Sequence, residues 1–297
     1  AIWYTPVSGI WQTVWLEPVS SKYISNVVSV ADIDNKNLKV KVGTQNTTSS
    51  DVVQIVLKEQ NTIVAMTKGV VGETLELALA DVKLWSPESP FLYDLEVTLL
   101  DKGKKTDKVK SYAAMRKISM HKDKDGIMRM QLNNKDCFQF GPLDQGWWPD
   151  GLYTAPTDEA LAYEIEKTKD WGFNMIRKHI KVEPARWYTH CDRLGILVWQ
   201  DMPSGDNSPK WIQYNYFHGK ENERSIESEE NFKKEWREIM DYLMPYPSIV
   251  VWVPFNEAWG QFKTKEIAEW TGYYDPSRLV NAASGGNHYY KVGDILD

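Results

Sequence analysis

The sequence predicts a β-sandwich followed by part of a parallel (β/α) barrel. Between residues 22 and 119, about six short runs of alternating apolar and polar residues are separated by turn formers, which is typical of a small antiparallel sandwich. From about residue 120, apolar runs of strand length alternate with helix patterns. That alternation indicates parallel strands joined by right-handed crossovers.

The sandwich strands are predicted at residues 27–33, 38–42, 52–58, 74–79, 91–100 and 108–112. We see no catalytic constellation among them and expect a structural role. Residues 8–17 differ, because they form one aromatic-rich run, with a strand predicted at 13–16, and no neighbouring run in the sequence could pair with it. We interpret this run as the end of another domain.

The barrel strands are predicted at residues 137–141, 174–180, 196–200, 249–255 and 279–282, with a further strand starting near 294. The intervening helices are predicted at 158–171, 184–194, 229–243 and 263–271, and a long polar loop at 201–226. Thr157 and Pro184 suit helix starts, and Gly172 and Gly195 suit helix ends. A closed barrel needs eight strands, so we favour a chain cut within a barrel over a smaller open sheet.

Composition narrows the function. The net charge is −6 and the pI about 5.5, so the composition gives no sign of the basic surface that a nucleic-acid partner would need. The chain holds 14 Trp, 15 Tyr and 8 Phe, and flat aromatic rings suit the apolar faces of sugars, although Trp also fills cores. Cys137 and Cys191 are predicted to be free thiols. The sequence has no apolar run long enough to span a membrane, and it shows no signal peptide. Its first residue is not Met, which fits processing or a cut chain. We favour a periplasmic or secreted location over the cytoplasm.

The strongest candidate site follows the apolar run at residues 248–255. That run ends in Asn256 and Glu257, with Trp259 close by. A carboxylate at the C-terminal end of a barrel strand, beside an amide and aromatic rings, is suited to protonating a glycosidic oxygen. The alternative is that Glu257 lies in the first turn of the next helix, where the helix dipole favours an acid.

Other candidates lie at the ends of the preceding strands. Alternation along residues 174–181 would place Arg177, His179 and Lys181 on one face. The alternative role for Arg177 is to hold a buried carboxylate in place. Asp201 follows the third strand and would bind a sugar hydroxyl or a cation, or cap the loop. Substrate-binding residues are also predicted in the Gly/Pro-rich loop at 141–151, where tandem Trp favours a wall for sugar stacking over packing within the loop: Asp144, Trp147 and Trp148.

Metal, triad and phosphate patterns are weak. The five His residues lack metal-ligand spacing, Ser204-Gly205 lacks the elbow of a nucleophilic serine, and Gly285-Gly286 is not a phosphate loop. We expect no cofactor, while a structural or activating cation stays open.

The motifs resemble glycoside hydrolase family 2, which includes β-galactosidases, β-glucuronidases and β-mannosidases. The matching pieces lie in the family's order along nearly the whole chain, at residues 8–16, 84–93, 115–118, 174–177 and 247–257. The resemblance implies the tail of a sugar-binding jelly roll at 1–20, an immunoglobulin-like sandwich at 21–119 and part of a TIM (β/α)₈ barrel at 120–297.

The resemblance also implies roles for particular residues. Glu257 would be the general acid/base, and Asn256 would bind the sugar 2-hydroxyl. Arg177 matches the family's second-strand Arg, and Asp201 the acid that binds a cation in some members. The residues after Arg177 depart from the family's Thr-Ser-His-Tyr-Pro-like run, so His179 is assigned only as substrate-binding.

The family's nucleophile is a second Glu, which we expect beyond residue 297. A retaining glycosidase needs two carboxyls, so the sequence predicts a parent β-glycosidase and a chain that is incomplete by itself. A β-galactoside is the first choice of substrate. Residues 197–201 keep a β-mannoside open, and Lys178 or Lys181 would serve a β-glucuronide. The alternatives are a non-catalytic carbohydrate-binding protein and a hydrolase of another class. The expected partner is a glycoside or oligosaccharide, with neither nucleic acid nor membrane, and homo-oligomers stay open.

Overall fold

The computed structural model describes residues 4–203, 206, 221–285 and 291–296. The chain forms two compact units. One comprises Val14–Lys117 with Leu132–Asn134, and the other comprises Ala1–Thr13, Ile118–Gln131 and Lys135–Asp297.

The first unit is a sandwich of two antiparallel sheets, with strand orders β1-β2-β5 and β4-β3-β6-β7. One face of each strand enters the core, as in β2, where Leu38, Val40 and Val42 are buried and the residues between them are not. The strands are β1 (Tyr23–Asp32), β2 (Asn37–Gln45), β3 (Val52–Glu59), β4 (Thr62–Val70), β5 (Thr74–Ala78), β6 (Tyr93–Asp101) and β7 (Lys104–Ala113).

Six of these seven strands match the predicted runs, and β4 was not predicted. Among the described residues it pairs only with β3, so it lies at the edge of its sheet. Its apolar residues Ile63 and Met66 are 57% and 63% exposed. Because neither face of β4 is well buried, its sequence lacks the one-sided apolar pattern that marks the other strands.

The second unit begins with a small sheet and continues with a parallel one. The small sheet, in the order β10-β9-β8, was not predicted. The parallel sheet has the order β11-β12-β13-β14-β15. The strands are β8 (Ile118–Lys122), β9 (Met128–Leu132), β10 (Lys135–Asp136), β11 (Leu143–Asp144), β12 (Met175–Lys178), β13 (Leu197–Asp201), β14 (Ile249–Val253) and β15 (Leu279–Val280).

In the described part of the chain, four helices connect the parallel strands: α1 (Asp158–Asp170), α2 (Ala185–Leu194), α3 (Ile226–Leu243) and α4 (Thr264–Tyr274). The predicted caps at Thr157 and Gly195 are confirmed, because the Thr157 hydroxyl accepts from the Ala160 N–H at 3.1 Å and Gly195 ends α2 with φ 77°. Every residue of β13 and β14 is buried. The helices pack on this sheet through a core that includes Trp187 of α2 and Trp236 of α3.

Two predicted strands are wrong. Residues 8–17 form no strand, and Ile10 and Leu16 are 85% and 98% exposed. Among the residues that the structure describes, this segment has no neighbouring strand to pair with, so its backbone cannot form the inter-strand hydrogen bonds that define a strand. Residues 137–141 also form no strand, and the edge strand is instead Leu143–Asp144.

Smaller differences concern the element ends. Helix α3 begins at Ile226, three residues before the prediction, because Ser225 caps it and accepts from the Ser228 N–H at 3.2 Å. Ile295 forms one isolated parallel bridge with Asn281 in place of a further strand. Much of the predicted loop at 201–226 lies outside the described residues. Among the residues that are described, no helix has the length and apolar character needed to cross a membrane.

Candidate active site

Polar side chains from four successive strands meet at the carboxyl ends of the parallel sheet. Arg177 lies in β12, Asp201 ends β13, and Asn256 and Ser284 follow β14 and β15. We call these four residues the Arg177 cluster. Its position is the one at which (β/α) barrels build their sites.

The Arg177 guanidinium joins the members of this cluster. Its Nε and Nη2 donate to the two oxygens of Asp201 at 3.0 and 2.8 Å. Nη2 also donates to Asn256 Oδ1 at 2.8 Å, and Nη1 donates to the Ser284 hydroxyl. This fork uses the planar, fixed geometry that only Arg provides. The alternative that Arg177 holds a buried carboxylate therefore describes its contact with Asp201.

Asp201 is fully buried. Besides Arg177, one of its oxygens accepts from the Ile180 N–H at 3.2 Å. Asp201 thus organises the ends of β12 and β13, and its carboxylate oxygens are directed at protein donors. Its assignment to a sugar hydroxyl or cation stays a prediction.

Asn256 and Glu257 occupy an unusual turn after β14. Asn256 forms a parallel bridge with Ser284, and the Glu257 N–H donates to the Ser284 carbonyl at 2.8 Å. Glu257 and Ala258 both have left-handed backbone, with φ 47° and 64°. Such conformations are sparsely populated by non-glycine residues and often occur at functional sites.

The two residues of this turn differ in their exposure to solvent. The side chain of Asn256 is buried, whereas Glu257 is exposed to solvent. Helix α4 begins only at Thr264, so the alternative that Glu257 lies in the first turn of a helix is wrong. Gly285 lies close to Glu257, because a methyl group added there would be 3.4 Å from Glu257 Cγ.

The orientation of the Asn256 amide follows from its partner. Arg177 can only donate, so the atom that it contacts is the amide oxygen. The Asn256 NH₂ group is then the one left to donate to a ligand hydroxyl beside Glu257.

His179 is buried, and its Nδ1 lies 3.2 Å from Asp201 Oδ2 without the geometry of a hydrogen bond. Lys181 does not share this face, contrary to the alternation prediction. Strand β12 ends at Lys178, and Ile180 has left-handed backbone with φ 43°. That conformation breaks the twofold repeat of side-chain directions.

A second group of charges lies on the opposite face of β12. We call it the Lys178 cluster. Lys178 Nζ contacts Glu183 Oε1 at 3.0 Å and Glu164 Oε1 at 3.7 Å and also pairs with Asp144, while Lys181 pairs with Glu183 at 3.0 Å. The cluster consists of Asp144, Glu164, Lys178, Lys181 and Glu183.

Burial and neighbouring charges shift the pKa values of this cluster. Burial raises the pKa of Asp144, but the charge and hydrogen bond of Lys178 outweigh it, so that pKa lies below its ordinary value. Burial raises the pKa of Glu164 to about 7, against the opposing charge of Lys178. Asp144, predicted to bind substrate, is thus engaged by a buried lysine and by the Gly146 N–H at 2.7 Å.

The two rings of the predicted Trp wall contact other aromatic rings and the core of their own unit. Trp147 stacks on Tyr4 with ring centroids 4.4 Å apart and meets the edge of Tyr153 at 5.6 Å. Trp148 packs against the core of this unit. Trp259 is partly buried, and its backbone N–H donates to the Asn256 carbonyl at 3.0 Å. The sugar-binding roles of these rings stay predictions.

Sequence reasoning missed Ser284, Glu164 and Glu183. Ser284 had a usable signal, because it follows the last predicted strand just as Asn256 follows the one before it. The two acids lacked one, since each lies in an ordinary charged run. Within the described part of the chain, no group of three or more His, Cys, Asp or Glu residues is arranged to hold a metal ion.

Known proteins share both the sequence patterns and the fold. The chain is 24% identical over 310 residues to a β-galactosidase of Lactococcus lactis subsp. lactis, covering 98% of this chain and 28% of that protein. It is 26% identical over 326 residues to a putative β-glucuronidase of Formosa agariphila, covering 97% and 35%. The chain therefore spans about a third of the length of these curated relatives.

Solved structures show the same fold at low identity. An FMN-binding β-glucuronidase from Facaelibacterium prausnitzii L2-6 has a TM-score of 0.73 and 17% identity, over 88% of this chain and 41% of that one. A β-D-glucuronidase of Dictyoglomus thermophilum has a TM-score of 0.71 and 20% identity, over 87% and 43%.

Family models divide the chain in the same way as the sheets. Residues 16–116 match the model described as glycosyl hydrolases family 2, and residues 155–296 match that family's TIM barrel domain. The predicted fold class, an immunoglobulin-like sandwich followed by part of a TIM barrel, is thereby confirmed. The chain belongs to glycoside hydrolase family 2.

Proposed function

We propose that this chain carries the acid/base half of a retaining β-glycosidase, with Glu257 as the general acid/base. The observation that supports this most directly is the pairing of an exposed Glu257 carboxylate with a buried, oriented Asn256 amide. Both residues follow β14, at the end of the sheet where barrel enzymes do their chemistry.

In the proposed reaction, Glu257 acts twice. It first donates a proton to the glycosidic oxygen while the bond between that oxygen and the anomeric carbon breaks. It then accepts a proton from the water that attacks the glycosyl-enzyme intermediate. The Asn256 NH₂ group donates to a hydroxyl of the same sugar, which we assign as the 2-hydroxyl.

A double displacement also needs a nucleophilic carboxylate about 5–5.5 Å from the acid/base. We assign this role to a Glu on a later barrel strand, outside residues 1–297. The role of Arg177 is then to fix Asn256, because its charge is already paired with Asp201.

The proposed substrate class is a terminal β-glycoside, with β-galactosides as the first choice. Relatives include proteins described as β-galactosidases and as putative β-glucuronidases. A β-glucuronide would need cations near its carboxylate, but Lys178 and Lys181 are at most 1% exposed and paired with acids. These two lysines therefore do not favour a uronic acid, and β-mannosides remain a second option.

The test is hydrolysis of a panel of 4-nitrophenyl β-glycosides by the whole protein and its Glu257→Gln variant. General acid–base catalysis is worth about 10²–10⁴-fold, so we expect a loss of that size in kcat. Glu269→Gln, an exposed acid on α4, is the matched control and should behave as the unmodified protein.

A second variant separates the acid/base role from simple loss of structure. Glu257→Ala should regain turnover of a 2,4-dinitrophenyl glycoside when azide is added, because azide replaces the water that needs a general base. The product should be a β-glycosyl azide. Undiminished turnover by Glu257→Gln would overturn the proposal, and saturable sugar binding without turnover would indicate a carbohydrate-binding protein.

A further inference from the structure

The turn that carries Glu257 is held from outside as well as from within. Within the turn, the Trp259 backbone N–H donates to the Asn256 carbonyl, and the Glu257 backbone N–H joins the turn to the Ser284 carbonyl after β15. The turn then continues through Gly260, which is also left-handed with φ 59°. Two of the four residues 257–260, Glu257 and Ala258, thus occupy a conformation that non-glycine residues rarely adopt.

A separate segment, residues 221–224, binds the far end of this turn. Arg224 donates to the Gly260 carbonyl from Nε at 3.1 Å and from Nη2 at 2.6 Å. Asn222 donates to the Gln261 carbonyl from its backbone at 2.8 Å and from its side chain at 3.2 Å. Two adjacent carbonyls, three and four residues after Glu257, are therefore each fixed by two donors.

The Arg224 guanidinium is itself held in place. Its central carbon lies 4.4 Å from the ring centroid of Phe262 and 5.2 Å from that of Phe232. These rings pack with Phe255, the residue before Asn256, at centroid distances of 5.7 and 5.3 Å. Flat aromatic faces restrain a guanidinium better than an ammonium group, which has no planar surface to stack.

We infer that Arg224 is a positioning residue for Glu257, acting through the Gly260 carbonyl. The inference rests on the proposed function, because it assumes that Glu257 donates a proton to the leaving group. Arg224 touches neither the Glu257 side chain nor, in this scheme, the sugar. It restrains the left-handed turn and so keeps the carboxyl directed at the glycosidic oxygen.

This role has a kinetic signature. A displaced general acid harms substrates whose leaving groups need protonation and spares those that leave unaided. In Arg224→Met, kcat/KM for a methyl or 4-methoxyphenyl β-glycoside should fall by at least about tenfold, while that for the 2,4-dinitrophenyl glycoside should stay within about twofold. Arg224→Lys should recover only part of the loss, since an ammonium group cannot span the same fork.

The chain offers a matched control in Arg278. This residue also binds backbone carbonyls, those of Ile249 at 3.1 Å and Met244 at 2.8 Å, and lies over Trp252. It does so at the start of β14, away from the turn. Arg278→Met should therefore lower stability without changing the ranking of substrates by leaving group. If Arg224→Met lowers every substrate by the same factor, as a purely structural residue would, the inference is wrong.

Hydrogen exchange tests the inference independently of turnover. Protection of the Glu257 and Trp259 amides should fall by at least about tenfold in Arg224→Met and stay unchanged in Arg278→Met. Unchanged protection in Arg224→Met would overturn the positioning role even if the protein hydrolysed nothing. Conversely, full activity of Glu257→Gln would overturn the proposed function while leaving the exchange result to decide whether Arg224 holds the turn.

Discussion

The two faces of β12 carry two buried charge clusters with different consequences. On one face, the Arg177 cluster leads to an exposed carboxylate, Glu257, across the buried Asn256 amide. On the other face, Lys178 and Glu183 are at most 1% exposed and their charges pair with each other. The difference shows that burying charge near the strand ends does not by itself make a site. A site also needs a group that remains open to a ligand.

The Lys178 cluster and Glu257 should also differ in how much stability is lost when a charged side chain is removed. Removing one partner of a buried ion pair leaves the other charged and without compensation, which is strongly unfavourable. Removing an exposed carboxylate has no such penalty. The comparison thus separates charged residues that we expect to maintain the fold from Glu257, the residue proposed to act as the acid/base.

The largest effect should come from Lys178→Met, which removes the central cation of the Lys178 cluster. Asp144 and Glu183 would then lose their main partner, and we expect the free energy of unfolding to fall by about 3–5 kcal/mol. Urea unfolding followed by Trp fluorescence measures this change. The control is Glu257→Gln, which should stay within about 0.5 kcal/mol of the unmodified protein because Glu257 is exposed. Equal stability of the two variants would remove the distinction between the faces.

The next effect concerns pH and Glu164. Its folded pKa of about 7 lies above its ordinary value of 4.5, mainly because of burial. The folded state therefore holds this proton more tightly than the unfolded state. The resulting stability is fully present below about pH 4.5 and is lost as pH rises through 7, an effect of about 3 kcal/mol.

Glu164→Gln sharpens this prediction. The amide cannot ionise but can still accept the hydrogen bond that the Trp187 indole donates. The difference in unfolding free energy between the variant and the unmodified protein should therefore change between pH 4.5 and 7 and be constant above about pH 8. A difference that does not vary with pH would show that Glu164 ionises in the fold as freely as in water.

Sequence patterns were informative where one physical requirement dominates. The run before Asn256 is buried on both faces, so it is apolar throughout and predicts a parallel strand. Leu38, Val40 and Val42 alternate because only one face of β2 meets the core. Arg177 and Glu257 could be named as candidates because charges at the ends of such strands need a partner or a function.

The remaining features depend on contacts that join distant parts of the chain. Arg224 and Gly260 are 36 positions apart, and Lys178 meets Glu164 across the α1–β12 connection. No periodicity records such pairings. The left-handed backbone at Ile180 likewise has no sequence signal, because β-branched residues rarely adopt it, and it separates Lys181 from the face that alternation predicted.

The smallest effect tests whether the Arg177 cluster serves binding rather than folding alone. Ser284→Ala removes the hydroxyl that accepts from Arg177 and so loosens the support of Asn256. We expect kcat/KM to fall by about fivefold, equivalent to ~1 kcal/mol, with a change of similar size in stability. Steady-state kinetics on the preferred 4-nitrophenyl glycoside measures the first and urea unfolding the second.

The matched control is Ser248→Ala. Ser248 directly precedes β14, at the end of the sheet away from the Arg177 cluster. Its buried hydroxyl has no hydrogen-bond partner among the described residues, so its removal should leave kcat/KM unchanged and stability equal or slightly higher. If Ser284→Ala also leaves kcat/KM unchanged while lowering stability, the Arg177 cluster is a structural ion pair like the Lys178 cluster. The chemistry of this end of the sheet would then rest on Glu257 without support from Arg177.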